Sequence, residues 1–188
     1  MSALLRLSKA IDQTNVLIGQ VLYWFSLLMV LIGVYNATVR YFGFFIGRNL
    51  SSNAYLEAQW YLFGLLFLLG AAYGLRHNVH VRVDILHTRW SEKTRAWIEL
   101  LGTLFFLLPF CVLILWLSLD WVSMSWQVRE TSPNPGGLLR YPIKIVIPAA
   151  FLLLFLQGLS QLIKAIAVIS GQRKLLHDDN TPLTEGGL

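Results

Sequence analysis

Leu62-Phe63-Gly64-Leu65-Leu66-Phe67-Leu68-Leu69-Gly70-Ala71-Ala72-Tyr73-Gly74-Leu75 carries no charge and stops abruptly at Arg76-His77-Asn78-Val79-His80-Val81-Arg82-Val83-Asp84. The apolar run is continuous rather than alternating, which suits a helix surrounded by lipid and argues against a barrel strand with one wet face. Extended back to Leu56, with Glu57 at its entrance, it makes a span of residues 56–75. Three further segments reach the length of about 20 apolar residues that a hydrocarbon core about 30 Å thick demands. They are residues 16–39, 98–120 and 143–169. Glycines in the second span and Pro109 in the third weaken soluble helices, but they are tolerated where neighbouring helices approach closely and satisfy freed backbone groups.

Composition agrees. The chain is 56% hydrophobic and 13% charged, against about 25% charged in ordinary globular chains, and its charges cluster beside the apolar runs. A net charge of +5 is therefore read as an orientation signal and not as a nucleic-acid footprint. Placing the N-terminus inside puts ten Lys and Arg on the cytoplasmic side and five outside, so both termini are expected in the cytoplasm. Trp116, Trp121 and Trp126 fall where the third helix leaves the bilayer, and Trp90 and Trp97 flank its other end, as an aromatic belt would. The 27 uncharged residues from Gln13 to Val39 exceed a signal-peptide core of about 7–15 residues, so this segment is expected to remain as an anchor. Residues 1–15, with Leu4, Leu7 and Ile11 at helical spacing and Arg6, Lys9, Asp12 and Gln13 between them, suggest a short amphipathic helix on the cytoplasmic face. Residues 16–170 are expected to form the membrane domain, and the polar residues 171–188 are expected to be a disordered cytoplasmic tail. Ser132-Pro133-Asn134-Pro135-Gly136-Gly137 is a turn-rich outer loop. The expected fold is thus all-α and integral to the membrane, with four transmembrane helices and one interfacial helix.

The chain carries few residues suited to chemistry. No ionisable side chain falls at the centre of a span, where a pump or intramembrane enzyme would carry one. No span holds a histidine for haem ligation. His77, His80 and His87 are spaced three and then seven apart without a cysteine, a poor metal set. Lone Cys111 suits packing. Ser26 and Ser160 lack a neighbouring base and are expected to bond their own backbone or an adjacent helix. No catalytic, substrate-binding or metal residue is therefore assigned. Glu57 stands out as a polar residue at a helix entrance. Asn36 lies one turn below Arg40 on one face, so an Asn36–Arg40–Glu57 cluster clamping the first two helices is expected, with Trp60 beside it.

The stretches Glu57-Ala58-Gln59-Trp60-Tyr61-Leu62-Phe63, Leu68-Leu69-Gly70-Ala71-Ala72 and His80-Val81-Arg82-Val83-Asp84, together with Asn36 and Arg40-Tyr41, resemble the DctQ-like small membrane subunit of tripartite ATP-independent periplasmic (TRAP) transporters. The resemblance covers residues from about 10 to 170. Many family members carry two adjacent acids and a following arginine at the second-helix entrance; here Leu56 and Trp60 stand there, leaving Glu57 alone. The long outer loop, including Tyr141-Pro142-Ile143-Lys144, is similar to a subgroup found beside binding proteins for 2-oxo monocarboxylates. The resemblance implies a non-enzymatic scaffold in the bacterial inner membrane. Its partners would be a large elevator-type permease that carries an organic acid with Na⁺, and a periplasmic binding protein; Na⁺ and substrate would sit in those chains, with no cofactor in this one. Arg76, His80, Arg82 and Asp84 would fix the cytoplasmic connection. The competing reading is a membrane anchor or assembly subunit of another complex, which predicts haem or quinone ligands in the helices.

Overall fold

The structure, a computed structural model, describes residues 2–48, 50–77 and 90–171. Helix α1 spans Ser2–Ile46 and α2 spans Asn53–Arg76. A third rod begins as α3, Glu92–Gly102, widens through a π-turn at Thr103–Leu107 and continues as α4, Leu108–Gln127. A short α5, Tyr141–Lys144, leads into α6, Val146–Ile169. Four helical segments are long and apolar enough to cross a membrane: Ala3–Ile46, Asn53–Arg76, Lys93–Gln127 and Tyr141–Ile169. Outside the helices, the described residues hold one isolated antiparallel bridge, Thr131 to Leu139.

Sequence chemistry explains the boundaries. Ser52 caps α2 by accepting from the Ala54 N–H, and Ser91 caps α3 by accepting from the Thr94 N–H. In the third rod Pro109 offers no N–H to the preceding turn. The chain widens just before it, and the Leu108 N–H reaches back to the Thr103 carbonyl. The π-turn thus absorbs the proline within a continuous rod.

Helix α6 is the hub, packing against α1, α2, α3 and α4. Its buried positions include Ala150, Gly158, Ser160, Ala165 and Ala167, small residues that let helix backbones close in without a hydrophobic driving force between them. Large apolar side chains such as Trp24, Phe67, Phe106 and Trp116 point outward instead, as lipid-facing surface should. Helices α1 and α2 meet at Gly19, where an added Cβ would lie 2.3 Å from the Tyr73 ring.

Helix α1 is longer than its span requires. Its 45 residues rise about 67 Å at 1.5 Å per residue, twice a hydrocarbon core. Asn36 sits beside Ser51 at the start of α2, with 3.1 Å between the Ser51 hydroxyl and Asn36 Oδ1, so the last turns of α1 run past that point. At the other end the expected separate interfacial helix is instead the first part of one unbroken rod. Its inward face is also the polar one: Ser8, Asp12 and Asn15 are buried while Leu4 and Leu7 are exposed. The reason lies on α6, which presents polar partners at that level.

Candidate functional site

Two polar clamps hold the bundle, one at each end. At the first, Ser8, Asp12 and Asn15 share one face of α1 at spacings of four and three. They meet Gln157, Ser160 and Lys164 of α6. Asp12 Oδ1 accepts from Gln157 Nε2 at 3.0 Å and from Ser160 Oγ at 2.9 Å. Its other oxygen accepts from Lys164 Nζ at 2.5 Å. Asn15 Nδ2 donates to Gln157 Oε1 at 2.6 Å, and the Ser8 and Ser160 hydroxyls lie 2.7 Å apart. Gln157 and Ser160 are fully buried. Gln161, one residue on, donates to the Leu75 carbonyl at the end of α2 at 3.0 Å, so the same stretch of α6 ties down both neighbours. Each polar group is worth keeping here because an unsatisfied one away from water costs several kcal/mol.

At the opposite end Glu57, only 2% exposed, reaches into the loop between α4 and α5. Its Oε1 accepts from the Ser132 hydroxyl and from Asn134 Nδ2 at 2.9 Å, and its Oε2 accepts from the Leu138 N–H at 2.7 Å. Asn53 donates to the Pro135 carbonyl and Tyr61 to the Leu139 carbonyl. Residues 53, 57 and 61 recur every four positions, so one stripe of α2 grips the whole loop. The loop is shaped for it. Gly136 has φ +72°, and at Gly137 a Cβ would fall 2.5 Å from Ser132 and 2.7 Å from Glu57 Oε2. Beside this clamp Glu130 pairs with Lys144 and accepts from Ser125 Oγ at 2.7 Å. These donors, Lys144 foremost, hold the Glu130 carboxyl below its ordinary range. Lys144 also stands 4.0 Å from the centroid of the Trp121 ring, and Trp126 meets Tyr141 edge-on at 4.7 Å.

The expected Asn36–Arg40–Glu57 cluster does not form. Asn36 is buried and takes the Ser51 hydroxyl, Glu57 takes the loop, and Arg40 lines a shallow recess with Gly43, Phe44, Gly47 and Arg48. Arg40 lies a full turn beyond Asn36, past the level at which α2 begins, which is why it misses Glu57. Trp60 is 63% exposed next to Glu57. Arg76 closes α2; His80, Arg82 and Asp84 lie outside the described residues. Ser26 bonds the Tyr23 carbonyl of its own helix, and Ser160 bonds α1.

The polar residues that sequence reasoning passed over are Asp12, Asn15, Gln157 and Lys164. In sequence Asp12 reads as the polar side of the interfacial helix, and Lys164 as one of the ten cytoplasmic Lys and Arg. The signal was present: two helix faces carry polar residues at matched spacings, 8-12-15 and 157-160-164.

The two carboxylates buried among the described residues, Asp12 and Glu57, each join one element to another. A family model, tripartite ATP-independent periplasmic transporters, DctQ component, matches residues 29–168. The chain belongs to the DctQ family. It is therefore the small permease component of a TRAP transporter and a multi-pass inner-membrane protein, and the family implies association with a large permease and a binding protein. No curated protein and no solved structure matches it.

Proposed function

We propose that this DctQ chain is a static scaffold: it packs against the large elevator-type permease of a Na⁺-coupled organic-acid importer, holds that subunit's stationary part in the membrane, and helps dock the periplasmic binding protein. The observation that carries the reading is the use made of the buried carboxylates. Asp12 is engaged by three side chains of α6, and Glu57 by three donors of one loop. Groups in a transport path must exchange partners as cargo passes, whereas these fix helices in place. Substrate and Na⁺ then belong to the large chain.

The excess of Lys and Arg at the ends carrying Arg6, Lys9, Lys93, Arg95 and Lys164 supports cytoplasmic termini. On that orientation the Glu57 clamp and its loop face the periplasm, where a binding protein arrives. The basic connection containing Arg76, His80, Arg82 and Asp84 faces the cytoplasm.

The test is reconstitution into liposomes under an inward Na⁺ gradient, with the binding protein supplied outside. Uptake is expected when the large subunit and this chain are both present, and neither subunit should support it alone. Sodium-dependent uptake by this chain alone would overturn the scaffold reading.

A further inference from the structure

Between α2, the end of α4 and the start of α6 lies a cavity of about 280 Å³, walled by Gly64 and Leu68, by Val146 and Ile147, and by the indoles of Trp60 and Trp121. Arg140, Lys144 and Glu57 also line it. The walls are mostly apolar, and the indoles are exposed at 63% for Trp60 and 49% for Trp121, as suits a position where a membrane meets water. The two cations differ. Lys144 is held by Glu130 and covered by Trp121. Arg140 has no side-chain hydrogen bond or ion pair among the described residues. It acts on Glu57 and Glu130 through space, while both Glu57 oxygens are taken by loop donors. Arg140 is part-exposed, and a guanidinium has five N–H donors, so it can offer several of them to an anion at the mouth of the groove.

We propose that this groove binds one phospholipid of the leaflet at the Glu57 end, its phosphate accepting from Arg140 and an acyl chain lying between Gly64 and Ile147. A phosphodiester offers the paired acceptor oxygens that a guanidinium fits. An apolar wall joined to a cation at the level of interfacial indoles argues for a lipid over a free small molecule. The site lies where α2, α4 and α6 meet, so the lipid would fill a gap that the protein's own side chains leave.

The test uses the full chain co-purified with its large subunit, delipidated in detergent, with bound lipid counted by native mass spectrometry. The probes are palmitoyl-oleoyl-phosphatidylglycerol and dioleoylglycerol, which lacks the phosphate. The wild-type complex should retain one phospholipid in preference to the diacylglycerol. Arg140→Gln should weaken phospholipid retention about tenfold, the size of one lost charge-assisted contact, and leave the diacylglycerol unaffected. Gly64→Leu should lower both, because a Cβ at Gly64 meets nothing within 4 Å and the larger side chain enters the groove without displacing backbone. Arg48→Gln, at the same end but outside the groove, should change neither. Unchanged phospholipid retention in Arg140→Gln, or equal retention of the two probes by the wild type, would overturn the proposal. So would a complex that holds no lipid while Gly64→Leu lowers recovery of the large subunit, since the groove would then seat a partner side chain.

Discussion

Asp12 accepts from three side chains of α6 at once, so the consequence of losing it depends on what is left behind. Asp12→Ala strands the donors of Gln157 and Ser160 and leaves Lys164, three-quarters buried, without its counter-ion. Removing one partner of a buried pair costs about 3–5 kcal/mol where solvent is excluded. The partial exposure of Lys164 brings the expected loss to about 2 kcal/mol. Lys164→Met removes the charge together with its need for a partner and packs a similar volume, so the double variant Asp12→Ala/Lys164→Met should be less destabilised than the two single losses added together. A coupling of about 1–2 kcal/mol is expected from groups in one network. Thermal midpoints of the purified complex across the four proteins of the cycle measure it. Strict additivity would show that the ammonium finds other partners and that the clamp does not act as a unit.

The loop between α4 and α5 is the element whose order depends most on charge. Glu130 and Lys144 tie its two ends, and the folded Glu130 carboxyl titrates below its ordinary value of 4.5. A depressed folded value means the unfolded state binds the proton first as pH falls. The clamp's contribution is therefore complete above about pH 4.5 and is lost as pH drops through the lower folded value. Protease cleavage within residues 128–140 should be flat from pH 8 to pH 5 and rise only in more acidic buffer, read with an acid-tolerant protease. In Glu130→Gln cleavage should be faster throughout and the acid step smaller. An acid step of undiminished size in that variant would assign the transition to another carboxylate. This loop also marks the limit of what the sequence discloses. Four spans were legible because each is set by a local run of apolar residues against a fixed bilayer thickness. Glu57 was legible as an unusual residue for the same local reason. Its partners were not, since Ser132, Asn134 and Leu138 lie 75, 77 and 81 positions away, and helical spacing says which residues share a face without saying which faces meet. The Asp12 clamp, bridging 145 to 152 positions, was hidden in the same way. Its residues also resemble the polar side of a surface helix until α6 is placed against them.

At the scale of the whole molecule, a hub helix makes the bundle cooperative. Since α6 contacts α1, α2, α3 and α4, strain introduced on its crowded face propagates to every span, whereas strain on a peripheral turn does not. Gly158 is the sharpest probe. A Cβ there would lie 3.0 Å from Leu108 and 3.1 Å from Leu107, with Thr103 close behind, so the third rod sits hard against α6 where its π-turn ends. Overpacking of this kind costs about 1–3 kcal/mol, and Gly158→Leu should lower the thermal midpoint of the complex and its yield with the large subunit in step. Phe44→Ala, on the exposed final turns of α1 at 83% exposure, should leave the midpoint within error, because surface changes away from such contacts stay within about 0.5 kcal/mol. Differential scanning fluorimetry with size-exclusion recovery reads both. If Gly158→Leu melts the third span early while α1 and α2 keep their wild-type transition, followed by tryptophans placed singly in each, the bundle is two independent halves. A chain that yields in halves under load would make a poor scaffold for a moving partner, so a single shared transition is the outcome that the static role requires.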